Sequence, residues 1–298
     1  MTTKTIATIN LKGGVAKTTT TVGLAYVLSI VHKKKVLVVD LDPQTNATVM
    51  LIGDTKWGEL NNKGYTLATL FSDAINGEHT FDLSKTLQKS VGDIRDAKSI
   101  DLLPSSLLLI DLQDNLVRMP AGQFGMRNPI TILSMGIVDI LRNYDYVLID
   151  CPPNLGNITL NGLRISDGYI IPTIPNVMST YGIPQIVTRI NMFSNEIRAD
   201  KVRSIVPLGI VATKYRIQAS HDVMLNLMRN KSGKKMENSA LPHPKVFKTY
   251  FPENVGMERA AEFQNSDSRT FRQKWGFSEY DGPFKAFADE FITACEEI

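Results

Sequence analysis

Seven short apolar runs are spaced along the chain. They are TIATIN (5–10), KVLVVDLD (35–42), SIDLLPS (99–105), YDYVLIDCPP (144–153), GYIIPTIP (168–175), PLGIVATKY (207–215) and KVFKTYFP (245–252). Several are continuous rather than alternating, which is how strands covered on both faces read. Between them lie helical patterns at 18–33, 126–143, 181–198, 220–231 and 281–298. The alternation predicts an α/β fold, a doubly wound and mostly parallel sheet flanked by helices. Two polar stretches, 53–66 (GDTKWGELNNKGYT) and 230–243 (NKSGKKMENSALPH), are expected to be loops. Neither is long enough to separate domains, so one domain over residues 1–298 is expected.

The first strand runs into NLKGGVAKTTTT (10–21). Strand, glycine turn, Lys, Thr, helix is the order a phosphate-binding loop requires. Gly13 and Gly14 allow backbone N–H groups to converge on phosphate oxygens, and the following helix N-terminus adds positive potential. Lys17 is placed to reach β- and γ-phosphates, and the Thr18 hydroxyl to ligate Mg²⁺. The common form is G-x-x-x-x-G-K-[ST]. Here Ala16 takes the second glycine position, and Leu11 or Gly13 stands where the first falls. The extra methyl of Ala16 matters only if that residue must adopt φ > 0.

Three aspartates close strand-like runs. Asp40 and Asp42 end KVLVVDLD, and Asp150 ends YVLID. One strand-end aspartate is ordinarily a turn or helix cap. Three that can face one phosphate loop, at the strand ends where open α/β sheets bind ligands, suit a Mg²⁺-nucleotide site.

Composition narrows the classes. The formal charge of +3 implies no nucleic-acid partner by itself. Two distant cysteines, Cys151 and Cys295, argue against a disulfide framework and cannot form a four-cysteine metal site within one chain. No apolar run reaches the roughly 18 residues of a membrane span, and the N-terminus lacks the apolar core of a signal peptide. A cytoplasmic protein is expected.

KGGVAKTT resembles the deviant Walker A motif, KGGxxKT, of the ParA/MinD family of ATPases. VLVVDLDPQTNATVML and YDYVLIDCPPNLGNITLNGL are similar to that family's second and third motifs. Weaker likeness continues through SIDLLPSSLLLIDLQDNL and VFKTYFPENVGMERAAE, so it covers almost the whole chain. The resemblance implies ATP and Mg²⁺ as cofactors. ATP would be cradled by Lys12, Gly13, Gly14, Val15, Ala16, Lys17, Thr18 and Thr19. Lys17 would hold phosphate within its own subunit, and Lys12 would reach the nucleotide of a second copy across a two-fold interface. Asp42 would orient the attacking water. Thr18 and Asp150 would hold the metal, with Asp40 supporting that shell. Pro152 and Pro153 would stiffen a γ-phosphate switch, and Thr213, Pro252 and Asn254 stand where the family places adenine contacts.

Members of this family use the ATP-bound dimer on nucleoid DNA, discharged by a ParB-like adaptor, or on membranes, as MinD does. The tail FADEFITACEEI is acidic, unlike a membrane-binding amphipathic helix, and reads as a packed helix burying Phe284, Phe287, Phe291 and Ile292. From Gln185 to Tyr250 there are twelve basic residues against four acidic, so the remainder of the chain is net acidic. That asymmetry fits a phosphate-backbone footprint on double-stranded DNA, centred on Arg229, Lys231, Lys234 and Lys235 with Lys245 and Lys248; Arg203 is a weaker member. No helix-turn-helix precedes the first strand, so DNA contact is expected to be unspecific, salt-dependent and nucleoid-associated. The expectation is a ParA-type partition ATPase, weak and partner-stimulated. The alternatives are a MinD-like membrane organiser and a metabolic or electron-transfer enzyme of the same superfamily. Iron–sulfur chemistry needs paired cysteines, which the chain lacks.

Overall fold

The structure is a computed structural model that describes residues 2–119, 128–200, 204–237, 239–264 and 269–298. Seven strands form one sheet: β1 (Lys4–Thr8), β2 (Val36–Asp40), β3 (Ile100–Leu103), β4 (Tyr146–Asp150), β5 (Gly168–Thr173), β6 (Val206–Tyr215) and β7 (Val246–Pro252). Their order is β3-β2-β4-β1-β5-β6-β7, and every pairing is parallel. Each apolar run of the sequence supplies one strand.

The helices are α1 (Lys17–Ile30), α2 (Asn46–Asn62), α3 (Leu67–Asn76), α4 (Leu83–Thr86), α5 (Leu109–Arg118), α6 (Ile132–Leu141), α7 (Asn157–Arg164), α8 (Val177–Thr180), α9 (Ile183–Glu196), α10 (Ala219–Lys231), α11 (Val255–Arg259), α12 (Phe271–Trp275) and α13 (Pro283–Glu296). The expected helix at 126–143 is α6; its first two residues, Met126 and Arg127, lie outside the described residues, as do Lys201 and Arg203.

Strand residues alternate between two cores, one on each face of the sheet. Leu37, Val39, Val147 and Ile149 pack with α3, α5, α6, α7, α9 and α10. Val36, Val38, Tyr146 and Leu148 pack with α1, α2, α12 and α13. Phe284, Phe287 and Phe291 of α13 are buried in the second core, with Ile292 half-buried against it.

One expected loop is a helix. Residues 53–62 of the polar 53–66 stretch continue α2 beyond a break at Gly53 (φ 76°, ψ 162°). Leu60 is buried, and the Trp57 indole N–H donates to Ser105 O at 3.2 Å, so one face of that stretch is anchored while its polar residues face solvent.

Below the second core, Asp93 is wholly buried among cations. Its carboxylate accepts from Tyr26 Oη (2.9 Å), Arg269 Nη1 (2.7 Å), Lys274 Nζ (2.9 Å) and Gln264 N (3.1 Å). This knot ties α1 and the 91–97 segment to α12.

Candidate functional site

Sheet register assembles the site. Thr8 of β1 pairs with Asp150 of β4, and Asp150 pairs with Asp40 of β2. The loop after β1 and both acidic strand ends therefore share one rim, at the carboxyl edge of the sheet.

The loop turns through two left-handed residues, Gly14 (φ 73°) and Ala16 (φ 62°). Ala16 is the N-cap of α1 and makes no side-chain cap bond. The loop is tied on both sides. Asn10 accepts from Lys12 N (3.0 Å) while its amide donates to Pro172 O (2.8 Å) at the end of β5. The buried Thr213 hydroxyl donates to Val15 O at 3.0 Å from β6.

The two lysines have different surroundings. Lys17 is 7% exposed, and its ammonium donates to Lys12 O at 3.3 Å. Burial lowers its pKa from the usual lysine value, against the opposing charges of Asp150 and Asp42. Lys12 is exposed and its ammonium points out of the loop, donating to Ser179 Oγ of α8 at 3.0 Å.

The aspartates also differ. Asp150 accepts from Thr18 Oγ1 at 2.6 Å and more weakly from Thr21 Oγ1 at 3.4 Å. Burial, with repulsion from Asp42, raises its pKa to about 7 against the hydrogen bond from Thr18. Asp40 is fully buried and engaged by Thr48 Oγ1 (2.7 Å), Thr48 N (2.9 Å) and Asp42 N (3.1 Å). Burial and the neighbouring Asp150 push its carboxyl well above the usual range. Its bonds brace the turn that carries Asp42. Asp42 is 7% exposed, accepts from Gln44 N (3.0 Å), and has its carbonyl held by Ser105 Oγ (2.8 Å).

Thus Lys12 to Thr19, Asp40, Asp42 and Asp150 come together at one rim. Pro152, buried, and Pro153, exposed, follow Asp150 directly. Thr213 contributes through the loop carbonyl, and the Asn254 side chain caps α11 by accepting from Gly256 N. Pro252 ends β7 beside it. Sequence reasoning missed Asn10, Thr48, Ser105 and Ser179. Asn10 carried a signal, as a polar residue closing an apolar strand before a glycine turn; a serine on a one-turn helix carries none.

The basic residues are spread over three elements. Arg229 and Lys231 end α10, exposed Lys234 and Lys235 follow, and Lys248 lies on edge strand β7. Arg229 Nη2 donates to Lys248 O at 2.8 Å, joining two of these elements. Lys245 is paired with Glu297 at 2.8 Å on the open surface, where such a pair is weak and exchangeable.

Fold and site together define a P-loop nucleoside-triphosphatase architecture. A family model for an AAA domain matches residues 3–202. Soj of Bacillus subtilis, a sporulation initiation inhibitor protein, is 29% identical over 86% of this chain and 87% of its own length. The chromosome-partitioning ATPase Soj of Thermus thermophilus is 28% identical over 98% of this chain and 96% of its own. Apo McdA of Cyanothece shares the fold, with a TM-score of 0.68 at 18% identity, over 97% of this chain and 99% of that one. The chain belongs to the ParA-type partition ATPases.

Proposed function

We propose that this chain is a Mg-ATP-dependent partition ATPase that works as a nucleotide-sandwich dimer, each copy placing Lys12 against the nucleotide of the other. The observation that carries this is the contrast between the lysines. Lys17 is buried under its own loop, whereas Lys12 is exposed and directed away from it. A cation held outside its own phosphate site is available to a second copy, as an arginine finger is in trans.

Thr18 and Asp150 offer two adjacent hard oxygens, which fits Mg²⁺. Among the described residues no group of three or more His, Cys, Asp or Glu could hold an ion alone, which suits a metal arriving with a triphosphate. When bound, Mg²⁺ neutralises charge on the β- and γ-phosphates. Asp42, nearly buried on its braced turn, orients the attacking water. The dimer binds double-stranded DNA without sequence preference through Arg229, Lys231, Lys234, Lys235, Lys245 and Lys248. A ParB-like adaptor stimulates a weak basal hydrolysis that releases it from the nucleoid. Among the described residues no helix is long and apolar enough to cross a membrane, and the apolar face of α13 is already packed.

Light scattering and DNA binding test this reading. A non-hydrolysable ATP analogue with Mg²⁺ converts monomer to dimer and creates DNA affinity that ADP does not support; equal affinity in both states overturns the switch. Lys12→Ala retains nucleotide, fails to dimerise and loses adaptor-stimulated turnover by about 10³-fold. Asp42→Ala keeps ATP and accumulates as dimer without turnover.

A further inference from the structure

We propose that Ser179 is a positioning residue for Lys12: its hydroxyl holds the ammonium in cis in the nucleotide-free protomer, and this bond must be exchanged for the nucleotide of the second copy. The proposal deepens the reading of Lys12 in trans and rests on it.

The contact joins residues far apart in sequence, Lys12 Nζ donating to Ser179 Oγ at 3.0 Å. Ser179 is 3% exposed, so the acceptor is fixed while the lysine stem is in solvent. Its position is set by the cap of α8, where Ser179 N donates to Asn176 Oδ1 at 2.8 Å. The backbone of Lys12 is clamped separately, its N–H on Asn10 and its carbonyl under Lys17. Only the side chain is left to move.

The chemistry of the acceptor decides the role. Among the described residues no carboxylate is ion-paired with Lys12. A neutral hydroxyl orients an ammonium but binds it far more weakly than a carboxylate does. The arrangement is therefore directional and releasable. It opposes dimer formation by the strength of one hydrogen bond. The partner's triphosphate, carrying several negative charges, outcompetes it.

Ser179→Ala and Ser179→Thr test this, with Lys12→Ala as background. In nucleotide-free protein, acetylation of Lys12 followed by mass spectrometry, with exposed Lys33 as internal reference, is expected to quicken about 5-fold in Ser179→Ala. With Mg²⁺ and a non-hydrolysable ATP analogue, its dimer dissociation constant is expected to fall about 5-fold, while monomer affinity for nucleotide stays unchanged. Ser179→Thr keeps the hydroxyl and is expected to match the wild type in both measurements. In the Lys12→Ala background, Ser179→Ala is expected to have no effect on self-association. Unchanged Lys12 reactivity and unchanged dimerisation in Ser179→Ala overturn the proposal. If Lys12→Ala itself dimerises normally, the trans reading fails; the acetylation rate then still decides whether the cis contact exists.

Discussion

Ala16 occupies a left-handed backbone conformation because the chain must swing from β1 into α1 while its loop N–H groups turn inward. An alanine there costs about 1 kcal/mol relative to glycine. Ala16→Gly is therefore expected to raise the stability of nucleotide-free protein by ~1 kcal/mol, measured by urea unfolding. The sequence posed this question without answering it, since KGGVAK gives no backbone angle. Thr213 is a similar case. Its position at the end of β6 was legible, but its hydroxyl turns to Val15 O rather than to open space. Thr213→Val keeps the volume and removes that donor, which is expected to cost about 1–2 kcal/mol of stability. Calorimetric titration should show weaker ATP binding as the loop loosens. That Lys17, Thr18 and Asp150 share one rim was legible, because a glycine turn between strand and helix and an aspartate closing an apolar run fix their places at the carboxyl edge of the sheet. Asn10 and Ser179 act through distances that only folding creates.

At the level of elements, every strand was legible from its apolar run, and the helices only in part. Helices α2 to α5, α7, α8, α11 and α12 went unread, and the second half of α2 was taken for a loop. In α2 the anchoring residues Trp57 and Leu60 are outnumbered by polar ones, so the stretch reads as solvated although one face is held. Close packing of α1 on α13 was not legible either. A Cβ built on Gly23 would lie 2.1 Å from Phe284 Cε1, so the helices meet over a residue without a side chain. Gly23→Ala is expected to destabilise the protein by about 1–3 kcal/mol through overpacking, despite the better helix propensity of alanine. Thermal unfolding of Gly23→Ala, with and without Phe284→Leu, checks this; the second change should recover part of the loss.

Across the whole molecule, stability depends on charges buried far from the nucleotide rim. Asp93 sits between Arg269 and Lys274, and Asp93→Ala leaves two cations without a counter-charge, at an expected cost of about 3–5 kcal/mol. Burial lowers the Lys274 pKa from 10.5 to about 8, against the attraction of Asp93. The unfolded chain thus holds that proton at a pH where the folded one has released it. Stability from this group is expected to rise between pH 8 and 10.5 and to be lost as pH falls through 8. Urea midpoints of the wild type compared with Lys274→Met across that range should diverge in this sense. The position of β1 has a further consequence. It is the first strand made and lies between β4 and β5, which begin at Tyr146 and Gly168. A nascent chain therefore carries its phosphate loop on an unpaired apolar strand until β4 has been made, and truncations ending before β4 should fail to retain nucleotide.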